Sequence, residues 1–184
     1  MSARDEILKA TLRLIGEQGI GAVTNRAVAR SAGVSLGSLT YHFPSQSDLL
    51  REALNTFVDD EIARITTYVT ALADSPMAPV QAADQVEKAI VDFTDGPEQI
   101  ANLELHLHAA RDPAIRDAST RSVDAYDRLA TAVLTSLGIP DAEHHAPAVV
   151  AMLYGLAIRR LATGDTTGTA DAFRLLLLGA LPRP

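Results

Sequence analysis

Between Gly33 and Pro44 there is room for a helix of only about two turns, and this confinement limits the fold more than any other feature. The surrounding stretch, residues 24–49, reads TNRAVARSAGVSLGSLTYHFPSQSDL. Thr24 is suited to cap a helix from Asn25 to about Ala32, which Gly33 ends by adopting the left-handed conformation. Val34 is then placed to pack back. Ser35 caps a further helix, Leu36 to about His42, and Pro44 forbids its continuation and pushes Phe43 out of helical geometry. A helix this short, carrying Ser, Thr, Gly, Tyr and His, is a poor packing unit and has to be held by its neighbours. Val28, Ala29 and Ala32 give the preceding helix a small apolar face, Leu39 lies on the inner side, and Phe43 anchors the end.

Helical periodicity governs the rest, with no run of alternating strand residues. Ile7, Leu8, Thr11, Leu14 and Ile15 mark a first helix over residues 3–18, stopped by Gly19 and Gly21. Ser45 and Asp48 have capping-box spacing for a fourth helix, with Asp in place of the longer Glu or Gln. Leu50, Leu54, Phe57, Val58, Ile62, Ile65, Val69 and Leu72 then hold one apolar stripe to about residue 73. Proline and glycine punctuate the remainder into helices near 80–94, 98–111, 114–137, 142–163 and 169–181. The expected fold is all-α with about nine helices. It comprises a three-helix head over residues 1–46, a long connecting helix, and a helical body completing residues 47–184.

Composition removes several chemistries. The 184 residues contain no cysteine, so disulfides, zinc–thiolate sites and thiol nucleophiles are excluded together. No phosphate loop, dinucleotide fingerprint, Gly-x-Ser-x-Gly or HExxH motif occurs, and an enzyme is not expected. The opening MSARDEILKA does not read as a signal peptide, and no apolar run suggests a membrane span, so a cytoplasmic protein without a membrane partner or cofactor is expected. The net charge of −7 is uneven. Residues 1–50 hold five basic and four acidic side chains, whereas the remainder carries −8. A near-neutral head on an acidic body suits a small nucleic-acid-binding module carried by a larger domain of other purpose.

Two short helices joined by a glycine-containing turn form a helix-turn-helix. Leu36, Gly37, Ser38 and Thr40 lie near the N-terminal end or outer side of the second helix, which reaches base edges when it enters a major groove. Thr24, Asn25 and Ser35 sit at helix N-termini, where amides and hydroxyls hold phosphate oxygens. Arg26 has the length and fork to reach a guanine or a phosphate.

This pattern resembles the DNA-binding head of the TetR family of bacterial transcriptional repressors, over residues 5–55. A Thr-led helix, Ala-Gly-Val-Ser, Gly in the recognition helix, Tyr-His-Phe and a Leu-rich fourth helix are all present. By position, the resemblance implies base reading at Arg26, Leu36, Gly37 and Ser38, and phosphate contact at Thr24, Asn25, Ser35, Thr40, Tyr41 and His42. The family often has Lys where this chain has Gln46, an amide that can still bond a phosphate but releases no counterion. The resemblance further implies a homodimer on a palindromic double-stranded operator, with release by a small-molecule effector.

The body supports these implications in outline. Residues 146–163 and 172–181 are rich in apolar side chains, and the run Leu175–Leu178 covers every side of a helix. The last two helices are therefore the expected dimer interface. Phe93, Asn102, Leu103, His106, Leu107, Tyr126 and Met152 are the candidate effector-lining residues, although core packing accounts for each of them as well. Glu104 and His108 share a helix face, but no second half-site with ligand spacing accompanies them, so no metal is assigned. A metal-responsive regulator and a helical interaction module are the alternatives.

Overall fold

The structure is a computed structural model that describes residues 2–74 and 96–164. Every regular element in those residues is helical. In order they are α1 (Ala3–Gln18), a 3₁₀ turn (Ile20–Ala22), α2 (Asn25–Ala32), α3 (Leu36–His42), α4 (Gln46–Asp74), α5 (Pro97–Ala109), α6 (Pro113–Ser136) and α7 (Ala142–Thr163). The helices expected near 80–94 and 169–181, and with them Phe93, lie outside the described residues.

Local chemistry sets the helix ends. Ser2 caps α1 by accepting from the Asp5 amide, and Asp5 reaches back to the Ser2 amide at 2.9 Å. At α4 the same spacing is used differently: the Asp48 carboxylate takes the Ser45 hydroxyl at 2.7 Å, while the Asp48 amide donates to that hydroxyl. Gly33 closes α2 at φ +67°, and the Val34 amide donates to the Ala29 carbonyl, as the Ala-Gly-Val spacing requires.

The chain forms two compact units. The first comprises residues up to Glu61 together with residues 95–122, and the second the remainder, with α4 and α6 each contributing to both. In the first unit Ile7, Leu8, Ile15, Val28, Leu39, Leu54, Val58, Leu105 and Ile115 are fully buried. α1 packs against α2 and α5. Contact with α5 is close enough that an ideal Cβ at Gly16 would fall inside 3.0 Å of the Pro97 backbone. Polar bonds tie distant segments together. The Ile20 amide donates to Glu104 at 2.8 Å, Ser47 to Asp112 at 3.2 Å, and Arg121 pairs with Asp59 and Asn55. Arg4 pairs with Glu52 and lies over the Phe43 ring.

The second unit has its own core of Ala130, Leu134, Ile139, Ala142, Ala146, Val149 and Val150, with Tyr126, Met152, Leu153, Tyr154 and Leu156 against it. One side of α7 remains open, with Ile158 54% and Leu161 43% exposed. This helix is long and apolar enough to cross a membrane by length and composition, with 22% of its apolar window buried, although the sequence alone suggested no such run. Its last turns carry Arg159 and Arg160.

Candidate nucleic-acid interface

α3 meets the rest of the first unit through one fully buried residue, Leu39. Phe43, buried just past its end, closes the contact. Packing therefore fixes one side of this helix and leaves the other outward. Leu36, Gly37, Thr40 and Tyr41 are exposed, Tyr41 at 83%, and Ser38 and His42 are half-buried. An exposed aromatic and an exposed leucine on one short helix gain nothing for folding in this position.

The polar groups differ in what they have left to give. Thr24 and Ser35 accept from the Ala27 and Ser38 amides as N-caps. Capping occupies lone pairs and leaves each hydroxyl proton free to donate to a phosphate. Thr40 instead donates to the Leu36 and Gly37 carbonyls, so donation to a phosphate requires exchanging that bond. Gln46 is exposed, but its Nε2 donates to the Val23 carbonyl at 2.8 Å, which ties the start of α4 to the entry of α2. One N–H of that amide stays available. Asn25 and Arg26 are exposed, and Arg26 forms no hydrogen bond or ion pair among the described residues.

Sequence reasoning passed over Arg30. It lies one turn after Arg26, is exposed and is equally uncommitted, so α2 presents two free guanidinium groups at i, i+4 spacing. That spacing was the available signal.

The effector candidates divide. Asn102, Leu103 and His106 belong to the first unit and Tyr126 and Met152 to the second. Asn102 is fully buried, whereas Leu107 is 66% exposed. His106 Nδ1 lies 2.5 Å from the Ser119 hydroxyl, and burial pushes its pKa down to about 4, so the imidazole is neutral at pH 7. Tyr126 stacks edge-on with Tyr154. An open recess of about 630 Å³ in the second unit is lined by Thr131, Thr135, Asp141, Ala142, Glu143 and His144, and holds none of these candidates. Among the described residues no three His, Asp or Glu side chains form a metal-binding group.

Comparison with known proteins agrees with this geometry. The profile of "Bacterial regulatory proteins, tetR family" matches residues 7–53, and that of "Tetracyclin repressor-like, C-terminal domain" matches residues 77–183. The transcriptional repressor KstR2 of Mycolicibacterium smegmatis is 29% identical over 109 residues. That match covers 55% of this chain and 53% of KstR2, so it spans about half the length of that relative. The transcriptional regulator BetI of Pseudomonas aeruginosa is 27% identical over 175 residues, covering 94% of this chain and 88% of BetI. The crystal structure of the multidrug binding protein EbrR complexed with ethidium superposes with a TM-score of 0.73 at 28% identity, covering 99% of this chain and 100% of that one.

Proposed function

The chain belongs to the TetR family of bacterial transcription regulators, and on that premise we propose that it is a repressor that binds a palindromic operator as a homodimer and is released by a small molecule. It is a DNA-binding regulator and not an enzyme. We assign DNA binding to residues 1–46 and effector binding and dimerisation to residues 47–184, in the cytoplasm. The observation that carries the reading is the outer side of α3, held by Leu39 and otherwise presented outward, together with the exposed and uncommitted Arg26 in the first turn of α2.

One α3 touches too few bases to be specific, and a two-fold pair sets two such helices in successive major grooves, about 34–36 Å apart. The open side of α7, with Ile158 and Leu161, supports a second copy as the covering partner. On the head, Thr24, Ser35 and Tyr41 donate to phosphates, while Arg26, Leu36, Gly37 and Ser38 meet base edges. Release requires an effector that binds two conformations unequally. α5 is suited to transmit that difference. It carries Asn102 and His106, and between them Glu104, whose carboxylate holds the Ile20 amide just before α2. EbrR, by its ethidium complex, takes a small molecule, which supports effector binding in this fold.

Selection of bound fragments from random DNA tests the proposal. A two-fold symmetric site is expected, with binding weakened about 10-fold or more by Arg26→Ala, in keeping with about 1–3 kcal/mol for a good base contact. Retention without sequence preference, unaffected by that substitution, would sink it.

A further inference from the structure

Four polar side chains are buried among the described residues: Thr11, Glu61, Asn102 and Ser122. Thr11 donates to the Ile7 carbonyl, and Glu61 has a partner. The other two have none. Both amide atoms of Asn102 and the hydroxyl of Ser122 lack any hydrogen bond, at 0% and 1% exposure. Each such atom costs about 1–3 kcal/mol, and native folds seldom keep one without a use.

Helix spacing relates the two orphans to one interface. α5 and α6 form a hairpin across residues 110–112, and the His106–Ser119 contact sets its register. Asn102 lies four residues before His106, and Ser122 three residues after Ser119. Helical spacing therefore brings both to the next level of the same interface. One turn along, His106 is neutral and supplies no charge.

We infer that Asn102 and Ser122 form a subsite for an uncharged effector group that both donates and accepts hydrogen bonds, a carboxamide or close relative. The inference rests on the reading of the helical body as effector-binding. A carboxamide pairs with the Asn102 amide through two complementary bonds, and the Ser122 hydroxyl serves a remaining lone pair. An ammonium ion would leave Asn102 Nδ2 unpaired, and a carboxylate would enter a buried site without a cation. The seat lies on the helix that carries Glu104, so filling it bears on the segment bonded to Ile20.

The test uses the full chain and four probes of one shape: benzamide, benzoate, benzylammonium and toluene, each at the same millimolar concentration, with thermal unfolding as the readout. Benzamide is expected to raise the melting temperature most. Asn102→Leu should abolish that shift while leaving the unliganded protein at least as stable as the parent, because an unpartnered amide is replaced by an apolar group of similar size. Ser122→Ala, a smaller change, should weaken the benzamide shift and keeps the test decisive if the leucine variant fails to fold. Equal shifts from all four probes, a preference for benzylammonium, no benzamide shift, or a shift that survives both substitutions would overturn the inference. A site that holds only water gives one of these results. Operator binding is measured without probes, so loss of the subsite leaves the DNA-binding reading standing.

Discussion

Gly16→Ala should destabilise this protein, although the same change inside most helices stabilises. Alanine exceeds glycine in helix propensity by about 0.8–1.0 kcal/mol, and Gly16 is interior to α1. Against this, the added Cβ would lie inside 3.0 Å of the Pro97 carbonyl carbon, its oxygen and its Cα. Ordinary carbon contacts begin near 3.5 Å, so α1 and α5 would have to part by roughly 1 Å. Overpacking costs about 1–3 kcal/mol, and the upper end applies because neither backbone can swing aside as a flexible side chain does. Separation would also strain the Glu104–Ile20 bond, a charged acceptor worth about 1.5–3 kcal/mol. The net expectation is a loss of about 2–4 kcal/mol, a fall in melting temperature of roughly 4–16 °C for a chain of this size. Gly37→Ala is the control, since its Cβ meets only the Ser35 hydroxyl at 3.9 Å. That variant should hold or gain stability while weakening operator binding, because the new methyl faces outward on α3. Both are read by thermal unfolding at one protomer concentration, since self-association makes a midpoint concentration-dependent. If Gly16→Ala melts as high as Gly37→Ala, the close α1–α5 approach is absent and the coupling argued through α5 loses its basis.

Acid should expose His106. Its folded pKa of about 4 lies below the ordinary 6.5, so between those values the unfolded chain binds the extra proton and stability falls as pH drops. The loss reaches at most about 3 kcal/mol and is complete below about pH 4. Unfolding of the parent minus that of His106→Gln across this window should show it, and parallel curves would refute it. Capping bonds from Ser2 and Ser45 hold the Asp5 and Asp48 carboxyls low, and those contributions are lost at more acidic pH. Replacing Gln46 by Lys should steepen the log–log salt dependence of operator binding by about 0.9 for each phosphate gained. Identical slopes would remove position 46 from the phosphate contacts. Ile158→Glu combined with Leu161→Arg should shift sedimentation from dimer to monomer and lower operator affinity by more than 10-fold, as loss of a two-site reader demands. A dimer that persists would show that this side of α7 is not the interface.

Much of the helical layout is legible in the chain because its causes are local. Thr24, Gly33, Ser35 and Pro44 act within four residues of themselves, and the ends of α2 and α3 fall where those residues require. Ser45 and Asp48 were legible as a pair, but which atoms bond was not: Asp48 takes the hydroxyl instead of the amide. Arg30 was readable by its spacing from Arg26 and was passed over. The commitment of Gln46 to Val23, 23 residues away, had no sequence signal.

The sequence by itself determined the described helices and the caps of α2 and α3, because hydrogen-bond rings, φ limits and apolar periodicity operate over one or two turns. Tertiary structure alone decided which distant residues meet. Glu104 finds Ile20 across 84 positions, Gly16 admits Pro97, and His106 meets Ser119 across the α5–α6 turn. Such pairings depend on how helix surfaces interlock, a property of the whole set of side chains that no local pattern encodes.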